Sequence, residues 1–182
     1  MREPIARFDD DRRWCLGVDP GFSGALAAVG GIEVFVFDTP ILVTGRKQRG
    51  GKVKAKREYD LDGVVALLRR FPPASVAHVG LELVASRPDQ GVSSMFAFGQ
   101  GFGMWEMGLK FAGLKYTRVP PQKWQRAMLE GVGPEHDGAI LRAKQLFPRV
   151  SFEGVRGGAR DGRADAILIA EYVRRQVAQG LL

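Results

Sequence analysis

The chain has 182 residues, 45% of them hydrophobic and 26% charged, which suits a single domain (1–182) with a well-buried core. No apolar run approaches the ~18–20 residues needed to cross a bilayer, and a lone cysteine, Cys15, excludes an internal disulfide and any cysteine-based zinc site. The formal net charge of +7 favours a polyanionic partner, a signature that nucleic-acid-binding proteins share with ribosomal passengers and membrane-surface proteins.

Residues 1–13 carry four acidic side chains and no apolar segment, so neither a secretory signal nor a transit peptide is expected, and a cytoplasmic location is. "RWCLGVDP" (13–20) predicts a strand ending in a turn at Pro20-Gly21. "SGALAAVG" and "IEVFVFDTP" predict two more strands, joined by the Gly30-Gly31 turn signal into an antiparallel meander. Residues 45–57 hold seven Lys or Arg, two adjacent glycines and no large apolar residue but Val53, which predicts a mobile basic loop. A helix is expected from Asp60, with Leu61, Val64, Val65, Leu67 and Leu68 apolar, stopping before Pro72-Pro73.

"SVAHVGLELV" (75–84) predicts a buried fourth strand, followed by a polar loop from Ala85 to Gly91. Met95, Phe98, Phe102, Trp105, Leu109 and Ala112 then recur at spacings of three and four, predicting a long helix. "KYTRVPP" predicts a short fifth strand, and helices are expected at 121–130, 136–147 and 163–179. The order βββ-α-β-α-β-α-α is that of an α/β fold: a mixed sheet flanked by helices.

Four carboxylates stand where the pattern prefers apolar or small residues: Asp19, Glu82, Asp161 and Asp165. An acid inside "VGLELV" is expensive to bury without compensation. Asp161 and Asp165, four apart, share one helical face, where like charges destabilise a helix by roughly 0.2–0.5 kcal/mol. A metal ion turns that repulsion into coordination, and hard oxygen donors suit Mg²⁺ or Mn²⁺ rather than zinc. Singly each has a plainer role: Asp161 a helix cap, Asp165 a complement to the helix dipole, Asp19 a turn former, Glu82 the partner of an arginine.

These segments resemble the RuvC family of Holliday junction resolvases, especially its phage-type and chloroplast-type members. "GVDPGFSGALA" resembles the first-strand motif with its metal-binding Asp, "LELV" the fourth-strand motif with its Glu, and "DGRADAILIAEY" the closing-helix motif with two further acids. "GQGFGMWEMGL", "VPPQKWQ" and "AKQLFP" are similar to family segments between them, and the likeness spans about residues 14–175. It implies an RNase H-like fold, with three antiparallel strands plus two parallel ones in a five-stranded mixed sheet. Two departures stand out. The last two acids are four apart rather than three as in bacterial RuvC, and Ala85 occupies the position of an aromatic implicated there in prising junction bases apart.

The resemblance implies a bacterial or phage-encoded, Mg²⁺-dependent endonuclease, with Mn²⁺ as the substitute ion, that cuts four-way DNA junctions as a homodimer. Two ions about 4 Å apart would lower the pKa of the attacking water and stabilise the leaving 3′-oxygen. Asp19 would bridge them, with Glu82, Asp161 and Asp165 as flanking ligands. No membrane and no small-molecule cofactor is implied. Arg46, Lys47, Arg49, Lys52, Lys54, Lys56 and Arg57 would hold DNA arms through phosphates without reading sequence. Lys123 is either a contact to the scissile-strand phosphate or a solvated lysine. Met95 and Phe96 are the candidate junction wedge in place of Ala85, whereas Phe98 is read as core.

Gly99, Gly101 and Gly103 weaken the long helix by up to ~1 kcal/mol each relative to Ala and permit close approach of another backbone, either the sheet or a second subunit. Three rival readings remain: a nuclease of the same fold acting on RNA–DNA hybrids or branched DNA generally, a non-catalytic junction-binding protein, and an ATP-binding domain. For the last, which needs two such domains, 182 residues leave no room.

Overall fold

The computed structural model describes residues 8, 13–47, 53–84, 91–132, 138–152 and 161–182, with only the backbone of 46, 47, 53 and 54. Strands β1 (Trp14–Val18), β2 (Ala25–Gly30) and β3 (Glu33–Asp38) form the expected antiparallel meander. Strand β6 (Val76–Glu82) runs parallel to β1, and β7 (Tyr116–Val119) parallel to β6. The five-stranded sheet has the order β3-β2-β1-β6-β7, three strands antiparallel and two parallel. This is the sheet expected from the sequence.

Every residue of β1 and β2 is buried, as near-continuous apolar runs covered on both faces should be. The two-residue period divides them cleanly. Cys15, Ala25, Ala27 and Val29 face one core, shared with helices α3 (Pro121–Met128), α4 (Gly138–Leu146) and α5 (Asp161–Ala178). Trp14, Leu16, Val18, Leu26 and Ala28 face the other, closed by α1 (Leu61–Leu68) and α2 (Val92–Phe111). A Cβ at Gly17 would collide with the backbone of Ala166 and Ala170, so only glycine lets α5 lie this close to the central strand.

Residues 45–57 depart from the expected loop. β4 (Ile41–Lys47) and β5 (Val53–Tyr59) pair antiparallel as a separate two-stranded ribbon, with Arg46 opposite Lys54 and Val43 opposite Arg57. The β-branched "ILVT" and the alternation in "VKAKREY" carried a strand signal that the charge density obscured. Arg49 and Lys52 lie outside the described residues, as does the segment 85–90. Elsewhere the differences are at element ends and faces. Asp60 caps α1, accepting a hydrogen bond from Gly63 N at 3.0 Å, while Leu61 and Val65, expected on its apolar face, are exposed. No helix among the described residues is long and apolar enough to cross a membrane.

Candidate active site

The four carboxylates come from three separated stretches of chain. Asp19 follows β1, where its own backbone N–H donates to Ala25 O (3.0 Å) and its carboxylate Oδ1 accepts from Gly21 N (3.2 Å). Glu82 ends β6, the parallel neighbour of β1, so strand pairing sets the two acids at the same end of the sheet. Asp161 and Asp165 lie on the first turns of α5. The start of that helix is pressed onto the β1–β2 turn: a Cβ at Gly162 would stand 2.7 Å from Asp19 Oδ2 and closer still to Ser23 O.

Asp165 is the electrostatic centre of the group. Burial, then the charges of Asp19, Glu82 and Asp161, push its carboxyl up to about 8 from an ordinary 3.8. Burial raises Asp19 to about 6, opposed by the Gly21 N–H. Asp19, Glu82 and Asp165 are half-buried, and Asp161 is exposed. Among the described residues, no three His, Cys, Asp or Glu side chains stand close enough to enclose a metal ion as they lie, so this is an open cluster and not a closed cage. Its chemistry nonetheless fits a hard divalent cation: only carboxylate donors, and at least one that cannot keep its charge beside the others.

Neighbouring contacts hold these elements in place. Arg163, between the two α5 acids, makes a bidentate ion pair with Asp38 at the end of β3 (2.6 and 2.9 Å). The Trp124 indole N–H donates to Glu82 Oε1 at 2.9 Å. Tyr59, at the foot of the ribbon, donates to Pro20 O (3.3 Å) and Ala97 O (3.0 Å), and its ring stacks on Phe22 at 4.2 Å. The Arg57 guanidinium lies over that Phe22 ring, 5.3 Å from its centre. The basic ribbon is thus anchored beside the turn that carries Asp19. Sequence reasoning missed all of these partners, because the pairs lie far apart in the chain; "PQKW" did draw attention to Lys123 but not to Trp124 beside it.

The other expected residues fall as follows. Lys56 and Arg57 are exposed on β5, Lys56 paired with Glu58, whereas Arg46, Lys47 and Lys54 are placed only as ribbon positions. Lys123 is exposed on α3 and lines an open groove with Arg126, Tyr172 and Gln176, whose walls include none of the four carboxylates. Met95 is half-buried, Phe96 is 74% exposed, and Phe98 is half-buried near Gly21.

No protein-family model and no curated protein sequence matches the chain. Solved structures share its fold, two RuvC structures among them. Thermus thermophilus RuvC in complex with a Holliday junction substrate superposes with a TM-score of 0.59 at 14% identity, covering 93% of this chain and 97% of that one. A second Thermus thermophilus RuvC structure gives 0.54 at 14% identity, with 91% and 96% covered. The likeness extends over nearly the whole of both chains and establishes the RNase H-like architecture.

The raised Asp165 carboxyl predicts a pH dependence. Between 3.8 and about 8 the folded chain keeps a proton that the unfolded chain releases. The resulting stabilisation is full below the lower limit and is lost as pH rises toward the upper one. In EDTA the melting temperature should therefore fall between pH 5 and pH 8, and Asp165→Asn should flatten that fall and melt higher than wild type at pH 8.

Proposed function

We propose that this chain is a divalent-cation-dependent, structure-selective DNA endonuclease that resolves four-way junctions as a homodimer, in the manner of phage-type and chloroplast-type RuvC relatives. The observation that carries the reading is Asp165 set among Asp19, Glu82 and Asp161 on an RNase H-like sheet. Those four side chains would hold the cations, Asp19 as the ligand shared between two. Bound Mg²⁺ or Mn²⁺ would supply an activated water and charge stabilisation for the leaving 3′-oxygen. The protein's own part is to set the donors at one end of the sheet and aim a basic surface at the substrate.

That surface is the ribbon. A two-stranded ribbon is narrow enough for a DNA major groove, and its exposed Lys56 and Arg57, with the other cations of 46–57, would neutralise phosphates without reading bases. Arg57 packs on Phe22, three residues from Asp19, so an arm held there lies next to the carboxylates. Lys123 would take a phosphate further along, in the α3–α5 groove.

Support for the dimer comes from α2. Val92, Phe96 and Met107 are 79%, 74% and 69% exposed, and they share one stripe with Gly99 and Gly103, where an added Cβ would meet nothing within 4 Å. Phe111, 90% exposed, stands at the stripe's edge. Large apolar side chains so exposed in one line are a docking surface. The stripe is also self-complementary. Laid antiparallel on a copy of itself about an axis near residue 101, it sets Phe96 opposite Met107, Val92 opposite Phe111 and Gly99 opposite Gly103. An isologous contact of this kind matches the two-fold symmetry of a four-way junction and gives one site per opposed strand. Of the two wedge candidates, Phe96 is taken up by this seam, which leaves the half-buried Met95 beside it to part the central base pairs.

Three measurements test the reading. Labelled four-way junctions in Mg²⁺ should receive paired symmetric nicks, abolished by EDTA or Asp19→Asn while binding persists. Equal cutting of a linear RNA–DNA hybrid would make the chain an RNase H-type enzyme, and binding without cleavage in Mg²⁺ or Mn²⁺ would make it a junction binder. For the ribbon, Lys56→Ala with Arg57→Ala should lower the slope of log affinity against log salt by about 2 and weaken binding to all junction sequences alike; an unchanged slope removes the ribbon from the interface. For α2, Met107→Asp should turn a dimer into a monomer in sedimentation, and a wild-type chain that sediments as a monomer with and without junction DNA contradicts the interface.

A further inference from the structure

We propose that Trp124 is a positioning residue of the candidate nuclease site, its indole N–H holding Glu82 in the orientation that presents it to a divalent cation. The inference rests on the nuclease reading and adds to it a residue that is not itself a ligand.

The hydrogen bond is built by the fold from both ends. Glu82 pairs with Val119 in the parallel β6–β7 register, and Leu83 N donates to Val119 O at 2.9 Å. The chain leaves Val119 through Pro120 and Pro121, and proline at the first helical position fixes the start of α3 directly beyond Glu82. Trp124 stands one turn into that helix, only 1% exposed, in the core shared with α5, and its Nε1 reaches Glu82 Oε1 at 2.9 Å. A glutamate at a strand end has three side-chain torsions to order, whereas an indole clamped in a core has almost no freedom left. The rigid partner therefore sets the geometry of the flexible one.

Tryptophan suits this task chemically. Its N–H only donates: it cannot accept a proton, ligate a cation, or bring a charge that competes with one, as histidine or lysine would. Nor does burial in this protein force an indole onto a carboxylate. The Trp105 indole nitrogen is also buried and has no hydrogen-bond partner among the described residues. Outer partners that orient metal-binding carboxylates typically change metal affinity or activity by about 10–100-fold when removed.

The test replaces the N–H alone. Site-specific incorporation of 3-benzothienylalanine at position 124 keeps the ring's shape and puts sulfur where the N–H was; Trp124→Phe serves as a second variant. Free Mn²⁺ measured by electron paramagnetic resonance should show the analogue binding the ion about 10–100-fold more weakly than wild type. Its junction affinity in EDTA and its unfolding midpoint should stay near the wild-type values. In wild type, the indole ¹H–¹⁵N resonance assigned to Trp124 by its loss in Trp124→Phe should move on Mg²⁺ addition, and Asp19→Asn should suppress that movement. Wild-type Mn²⁺ affinity in the analogue overturns the positioning role and leaves the nuclease reading standing. A wild-type chain that binds no Mn²⁺ sensitive to Asp19→Asn overturns both.

Discussion

The arrangement depends on how closely α5 lies against the centre of the sheet. Gly17 in β1 and Gly162 at the helix start are two places where a single methyl group would meet backbone and force the elements apart. At Gly17 the obstacle is helix backbone, and at Gly162 it is the Ser23 carbonyl together with the Gly24 Cα, so neither neighbour can rotate away. Protein interiors are packed too tightly to absorb such a shift elsewhere. What the two glycines secure is less the core than the register between the first strand and the last helix, and with it the spacing of the acids each contributes.

That closeness has an electrostatic consequence, seen best by comparing two acids on the same helix. Glu171 is buried, which pushes its carboxyl up, but hydrogen bonds from Arg174 and Arg175 outweigh the burial and bring it below its ordinary value. Asp165, less than two turns earlier, is raised by burial and then by three further carboxylates. One acid is matched by its own helix, while the other is set among like charges by tertiary structure. A fold tolerates the second arrangement where the charge serves something outside the chain, and perturbed groups of this kind gather at functional sites. The pair Arg163–Asp38 and the indole on Glu82 belong to the same design, since each ties an element that bears one of the four clustered acids to one that bears none of them.

Much of this was readable in advance. The apolar runs of β1 and β2 are uninterrupted and that of β6 is broken only by His78, and an acid within or just after such a run stands out against the cost of burying it. The i, i+4 spacing of Asp161 and Asp165 places both on one helical face in any context. The long helix was also legible, with Trp105 and Leu109 buried as its period predicts, though the same helix exposes Phe96, Met107 and Phe111, which local pattern cannot distinguish from core. The ribbon was not legible. Alternation marks a strand best when one face is buried, and with residues 42–45 and 55–58 all exposed the strand signal of "ILVT" and "VKAKREY" was outweighed by the charge around it. Trp124 and Arg163 were missed for another reason: what each one does is set by a partner that only the folded chain brings near.

The distance those partnerships bridge bears on when the site comes into being. Asp38 and Arg163 are 125 residues apart in sequence, and Asp19 meets Asp165 across a similar span. Loops of that length close late, after local helices and hairpins have formed. During synthesis the sheet strands emerge well before α5 does, so a nascent chain carries Asp19 and Glu82 without the other two acids and without the arginine that anchors them. The basic ribbon, made wholly from residues 41–59, is available much sooner. On the nuclease reading, a growing chain would therefore present its cationic surface long before its acidic centre is complete, and catalytic competence would arrive in one step with the closing helix.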